Sequence, residues 1–334
     1  LNSSQSAGTL GQPTWLEAIY APVRAELEQV ESILRAELTS DAPWIDELLQ
    51  HSRIVGGKRM RPVCLLLSGA SCGQLGPSHL SIAASLEMIH TATLIHDDVL
   101  DRADTRRNGP TANSRWGNKA SVLLGDYLFT HAFHVATTAE CIPALRRLAA
   151  ASNRVCGGEM RQNAWAGNFA LAEEDYLEMI ADKTAELCSV ACELGAQLAG
   201  ADQPTSLSFG GYGRDLGIAF QIVDDVLDLV GHPETVGKTL GTDIALQKAT
   251  LPIIHCLNSQ TAVNRAKWVE LLEQRDVAAS EVMRLLNSTG SIEYARTVAL
   301  SYCERATEFA NSLPASEYAT SLQNMAQFVL QRSY

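Results

Sequence analysis

The pentapeptide Asp-Asp-Val-Leu-Asp occurs twice, at residues 97–101 and 224–228, each time closing an apolar stretch with helical character. A helix repeats every 3.6 residues, so the first and last Asp of each copy lie on one face. Like charges at that spacing repel by about a few tenths of a kcal/mol even on an exposed surface. Beside an apolar core the cost rises steeply unless positive charge sits between them. A single copy would read as a solvated helix end. An identical second copy points instead to two helices sharing one cargo, namely several hard divalent cations. Oxygen-only ligands select Mg²⁺, which keeps waters and prefers a few carboxylates plus substrate phosphates. The chain is therefore a candidate for diphosphate chemistry.

The remaining pattern is helical. No alternating-period strand exceeds a few residues, whereas apolar residues at helical spacing run through long stretches. Residues 15–38 read as an amphipathic outer helix, and 62–72, almost free of charge, as a buried one. Residues 78–101, 119–138, 143–164, 173–200 and 206–230 read as long helices. Ser78, Asn118 and the acidic run at 173–175 supply their starts. Gly and Pro punctuate the joins at 73–77, 109–110, 200–204 and 231–233. Only the pentapeptide repeats, and no low-complexity linker divides the chain. These features predict an all-α fold, with residues 1–13 as a flexible lead-in and 14–334 as one helical bundle. Its two acidic helices would face each other across a central cavity.

Composition narrows the partners. The 38 acidic against 26 basic residues and the net charge of −12 argue against a nucleic-acid partner, which would want a basic face. No stretch reaches the roughly 18 to 20 uninterrupted apolar residues of a membrane span. The polar first residues do not resemble an export signal. Eight cysteines form no Cys-x-x-Cys pair and no zinc spacing. Free thiols without an export signal predict a cytoplasmic protein.

Several cationic and polar residues flank the acidic clusters. Lys58, Arg59 and Arg61 follow Gly56-Gly57 just ahead of the buried helix. The glycines let the backbone approach a ligand, although the run also fits a loop followed by a snorkelling basic turn. After the first pentapeptide, Arg106 and Arg107 could grip two phosphates with guanidinium forks, or be neutralised by Asp101 and Asp104 in a solvated loop. His90 lies seven residues before Asp97 on the same face, where a core histidine is the plainer reading. Gln221 precedes Asp224 by three positions and can donate to a phosphate or to a neighbouring helix. Lys183 with Thr184, Lys238 and Lys248 add further charge. Each lysine taken singly reads as a solvated surface group; their value is collective.

Together these residues give the chain a close resemblance to the trans-isoprenyl diphosphate synthases from about residue 56 to 252. The set is Gly-Gly-Lys-Arg-x-Arg-Pro at 56–62, two Asp-Asp-x-x-Asp motifs, and Gly-Lys-x-x-Gly-x-Asp at 237–243. The resemblance implies an all-α fold around a central cavity and a homodimer. It implies head-to-tail condensation of an allylic diphosphate with isopentenyl diphosphate, releasing pyrophosphate. It also implies three Mg²⁺ ions held by Asp97, Asp101 and Asp224, with Asp98, Asp225 and Asp228 in support. Isopentenyl diphosphate would meet Lys58, Arg61, His90 and Arg107. The allylic diphosphate would meet Arg106, Lys183, Thr184, Gln221, Lys238 and Lys248. Asp97, Asp98, Asp101, Asp224, Arg106, Lys183 and Gln221 would carry the ionisation of the allylic carbon–oxygen bond. The family's Arg-Arg-Gly is here Arg106-Arg107-Asn108-Gly109. Asn tolerates left-handed backbone, so the turn is expected to survive.

Ser85, Met88, Ala92 and Thr93 are expected to line the hydrocarbon tunnel on successive turns behind the first cluster. Ala92 and Thr93 are small where short-chain members carry bulky aromatics, and the first motif has no two-residue insertion. The expected product is geranylgeranyl or longer, with a hepta- to decaprenyl chain favoured, and Ala92→Phe should shorten it. Two alternatives are a class I terpene cyclase, which would not need Lys58, Arg61 and His90, and a non-catalytic subunit of a heteromeric synthase. The two intact acidic motifs count against both.

Overall fold

Pro22 divides the first expected helix. In the computed structural model, which describes residues 15–55, 57–107, 109–231, 241–274 and 279–331, α1 (Trp15–Tyr20) gives way to a 3₁₀ turn (Ala21–Val23). The chain then resumes as α2 (Arg24–Glu37). Proline has no N–H to donate and its ring crowds the preceding turn, so one continuous α-helix is excluded here. Next come α3 (Pro43–Val55) and α4 (Met60–Cys72), the latter buried over most of its length.

The acidic helices follow from local signals. Helix α5 (Pro77–Leu100) starts at Pro77, whose fixed φ suits a first helical position, and the Gly76 N–H donates to His79 Nδ1 at 3.1 Å. An antiparallel ribbon, β1 (Thr105–Arg106) and β2 (Gly109–Pro110), turns the chain back into α6 (Ala112–Thr137). Helix α6 begins earlier than expected because Thr111 caps it by accepting from the Ser114 N–H. A kink at Gly117 (φ 81°, ψ 163°) separates this first turn from the apolar run that follows. Helix α7 spans Ile142–Ala164.

The expected helix over 173–200 is three pieces: α8 (Glu173–Ile180), a π turn (Ala181–Ala185) and α9 (Glu186–Leu198). A π turn adds one residue and shifts the helical phase, but the helix that follows is buried on nearly every side, so apolar periodicity does not expose the shift. Helix α10 (Gln203–Val230) is capped by Asp202, which accepts from the Thr205 N–H. The tail adds α11 (Thr242–Ala245), α12 (Leu251–Asn258), α13 (Ala262–Leu272), α14 (Ala279–Ser288), α15 (Ser291–Ser312) and α16 (Glu317–Gln331).

Helices α4, α5, α9 and α10 form the centre, with α6 packed on α5 and α15 on α10. Leu65, Leu66, Ile82, Leu86, Ile89, Leu194, Leu216 and Ile222 are sealed from solvent there. The all-α expectation holds, with the short ribbon as the one sheet among the described residues. No described helix is long and apolar enough to cross a membrane. Where α4 meets α9, a Cβ on Gly195 would collide with the Leu65 carbonyl oxygen and lie 3.1 Å from the Gly69 nitrogen. Gly195→Ala should therefore lower unfolding stability by about 1 to 3 kcal/mol, the usual cost of overpacking, measured by denaturant titration.

Candidate active site

A cavity of about 2030 Å³ lies between α5 and α10, and Asp97, Asp101, Asp224 and Asp225 all line it. The two acidic helix ends therefore share one hollow. Cations from elsewhere in the fold balance them. The Lys183 ammonium stands 2.6 Å from Glu159 and 3.9 Å from Asp97. Lys248 is 3.1 Å from both carboxylate oxygens of Asp101 and 3.8 Å from Asp243. Burial pushes the Asp97 carboxyl up to about 6, with Lys183 opposing the shift and Glu159 and Asp101 adding to it. Burial works against the charge on Lys183, but Asp97, Glu159 and Asp101 outweigh it and raise its pKa.

The two pentapeptides divide their carboxylates. Asp98 is 2% exposed and accepts from Arg106 Nε at 2.7 Å. Burial raises its pKa, and Arg106 opposes the rise. Asp225 accepts from Tyr176 Oη at 2.6 Å and from Gln221 Nε2 at 2.7 Å. Asp228, fully buried, accepts from Thr242 Oγ1 at 2.6 Å and from the Asp243 N–H at 3.0 Å. Asp98 and Asp228 are turned into the protein and do not border the cavity. Each instead orients a segment that does: the arginine ribbon in one case, the 242–243 turn in the other.

A second, cationic region of the same cavity is lined by Lys58, Arg61, His90 and Arg107. A Cβ on Gly57 would collide with the Arg107 guanidinium, so a side chain there would displace it from this position. Arg61 is 8% exposed, and its Nε has no hydrogen-bond partner among the described residues. A buried cationic donor without an acceptor fits a bound anion. The Lys58 ammonium sits 5.2 Å from the Phe328 ring centroid, and the Lys58 carbonyl accepts from Tyr20 Oη at 2.6 Å. Arg59 has left-handed backbone (φ 54°), and its guanidinium pairs with Glu31 and, at 2.9 Å, with Glu87. Burial drives the His90 pKa well below 6.5, and Arg61, Arg107, Arg106 and Arg59 push it the same way.

Thr184 and Gln221 also face the cavity, and Thr184 Oγ1 donates to Gln221 Oε1 at 2.8 Å. Lys238 and Asn108 lie outside the described residues. The four residues expected along the tunnel divide. Thr93 borders the cavity, whereas Ala92, Met88 and Ser85 are buried away from it. At about 100° per residue, Ala92 and Met88 sit roughly 140° and 180° around the helix from Asp97. Met88 instead borders a separate pocket of about 220 Å³ on the α2 side. The cavity face of α5 carries His90, Thr93, Leu94 and Asp97. Sequence reasoning missed Glu159, Tyr176 and the Arg59 pairing. Gly158 beside Glu159 was a signal of close approach, since a Cβ there would meet the Lys183 backbone; Tyr176 left none.

Among the described residues, no three acidic, imidazole or thiol groups converge closely enough to hold an ion by themselves. The donor set still fits Mg²⁺. Asp97, Asp101 and Asp224 offer oxygen only, across an open hollow also lined by Lys58, Arg61, Arg106, Arg107, Lys183 and Lys248. Mg²⁺ uses one or two carboxylates, with waters and substrate phosphates completing the shell.

An all-helical bundle with paired acidic helix ends and a cationic cavity wall defines the isoprenoid synthase class. The polyprenyl synthetase profile matches residues 42–289, and the chain belongs to that family. It is a prenyltransferase, which sets aside the terpene-cyclase alternative. It is similar to the octaprenyl diphosphate synthase of Haemophilus influenzae, 36% identical over 311 residues, covering 92% of this chain and 94% of that one. Its fold matches a Caulobacter crescentus CB15 polyprenyl synthase solved with calcium and isoprenyl diphosphate: TM-score 0.90, 33% identity, 96% of this chain and 98% of that one. A decaprenyl diphosphate synthase from Rhodobacter capsulatus matches with TM-score 0.89 and 36% identity, covering 96% of this chain and 99% of that one.

An imidazole surrounded by four arginines stays neutral where a free one is largely protonated. At about pH 6, the His90 resonance in an NMR titration of ligand-free protein should report the neutral ring, and added pyrophosphate should raise its pKa.

Proposed function

We propose that this chain condenses isopentenyl diphosphate head-to-tail with an allylic diphosphate, giving a geranylgeranyl or longer product, with hepta- to decaprenyl chains favoured. The observation that carries the reading is the single cavity holding both acidic helix ends and a separate cluster of Lys58, Arg61, His90 and Arg107. Two anionic substrates can thus be held side by side. Asp97, Asp101 and Asp224 would hold divalent metal, with three Mg²⁺ as the family resemblance implies; bound there, it supplies Lewis-acid stabilisation of the departing diphosphate.

The chain's own residues then have distinct work. Arg106, Lys183 and Lys248, with Lys238, neutralise the allylic diphosphate; Gln221 orients it through an amide N–H, and Thr184 holds that amide in place. Asp98 keeps Arg106 aimed at the cavity. Lys58, Arg61 and Arg107 fix the isopentenyl diphosphate, and neutral His90 donates a hydrogen bond without adding charge. As the carbon–oxygen bond breaks, its electron pair leaves with pyrophosphate, and the isopentenyl double bond attacks the allylic carbon. A proton passed to the departing pyrophosphate closes the cycle. Preorganised cations in a water-poor cavity favour that charge separation.

A homodimer is supported by the exposed apolar face of α6, where Val122, Leu123 and Tyr127 are 41%, 59% and 39% exposed. A cytoplasmic location is supported by eight free cysteines.

Purified protein, Mg²⁺, labelled isopentenyl diphosphate and a panel of allylic primers should yield a ladder of prenyl diphosphates. Asp97→Ala should cut kcat by at least about 10²-fold with unchanged circular dichroism, and near-normal turnover would remove the reading. Thr93→Phe should shorten the ladder. Ala92→Phe, on the packed face, should leave product length alone and cost about 1 to 3 kcal/mol of stability; the reverse pattern would return the tunnel to the Ala92 side.

A further inference from the structure

Lys183 and Thr184 stand on the π turn, a helix segment that has lost its regular ladder. Something must hold that turn in place. It is wedged between two helices at glycines: a Cβ on Gly158 of α7 would lie 2.5 Å from the Lys183 nitrogen, and one on Gly217 of α10 would lie 2.5 Å from Ala185 Cα. Two hydrogen bonds then tie the turn and the helix before it to α10. Thr184 Oγ1 donates to Gln221 Oε1 at 2.8 Å, and Tyr176 Oη donates to Asp225 Oδ2 at 2.6 Å. Gln221 Nε2 donates to Asp225 Oδ1 at 2.7 Å and closes the frame along α10.

The bonds have a fixed polarity. Asp225 accepts from both neighbours, so the Gln221 amide must turn its nitrogen toward Asp225 and its oxygen toward Thr184. One Gln221 N–H is thereby spent on Asp225, and the other is left to meet a phosphate. Tyr176 is fully buried and anchors the far corner of the frame, one helical segment upstream of the π turn. We infer that Tyr176 is a positioning residue: acting through Asp225, it sets the Gln221 amide and holds the π turn that presents Lys183 and Thr184 to the cavity. This role presupposes that those residues face the allylic diphosphate, as proposed above. The Lys58, Arg61 and His90 cluster does not depend on it.

Tyr176→Phe removes one hydroxyl and keeps the ring that fills the core. In the full chain, the KM for the allylic diphosphate should rise on the order of tenfold, the worth of about one ordered hydrogen bond. The KM for isopentenyl diphosphate should stay within about twofold. Thr184→Val, which cuts the other tie, should shift the same constant. In ligand-free protein, amide hydrogen exchange at residues 181–185 should accelerate in Tyr176→Phe, while exchange at 57–61 stays unchanged. A purely structural tyrosine would lower the melting temperature and move neither the KM ratio nor the local exchange; that result overturns the role, as do two KM values rising together. If the wild-type chain transferred no prenyl group, the condensation reading would fall, and the exchange comparison would still decide whether Tyr176 anchors the turn.

Discussion

Two lysines that belong to neither acidic helix carry the electrostatics of this protein. Carboxylates crowded at the end of α5 would repel one another and resist burial. Lys183, paired with Glu159 and close to Asp97, and Lys248, bridging Asp101 and Asp243, offset that cost before any metal or substrate arrives. The compensation is incomplete at Asp97, whose carboxyl remains raised to about 6. A site left short of positive charge has a standing demand for it, and a divalent cation meets that demand more fully than an ammonium can. The lysines come from the π turn and from the segment after α11, so the acidic end of α5 also stitches the two halves of the chain together.

The duplicated pentapeptide is a repeat of sequence and only partly of role. In both copies the first Asp borders the cavity. The remaining carboxylates serve whatever their surroundings supply. Asp98 is buried against Arg106, whereas Asp225 takes Tyr176 and Gln221. Asp101 meets Lys248, whereas Asp228 is sealed inside and holds the 242–243 turn. Identical residues at identical helical spacing thus do different work, because a carboxylate's pKa and partners are set by what packs beside it.

Where sequence reading erred, local physics explains the error. Periodicity carried α4, α5, α7 and α10 to within a few residues of their observed bounds, because each has a continuous apolar face. It ran α1 into α2 across Pro22 and ran α8 into α9 across a π turn whose phase shift is hidden by burial on nearly every side of α9. Ala92, Met88 and Ser85 are packed on the side of α5 away from the cavity that Thr93 borders. Arg59 looked equivalent to Lys58 and Arg61, but its left-handed backbone carries it to Glu31 and Glu87.

The sequence alone determined the helical class, the two acidic helix ends, the family and the residue types available for binding diphosphate. These are properties of composition and spacing, and spacing along a helix is fixed by its pitch. Only the tertiary structure decided which carboxylates face the hollow and which turn inward, that Glu159 meets Lys183 and Tyr176 meets Asp225, and which side of α5 borders the cavity. Those outcomes depend on contacts between segments far apart in the chain, such as residue 176 with 225 and 248 with 101. No periodicity along one segment encodes them.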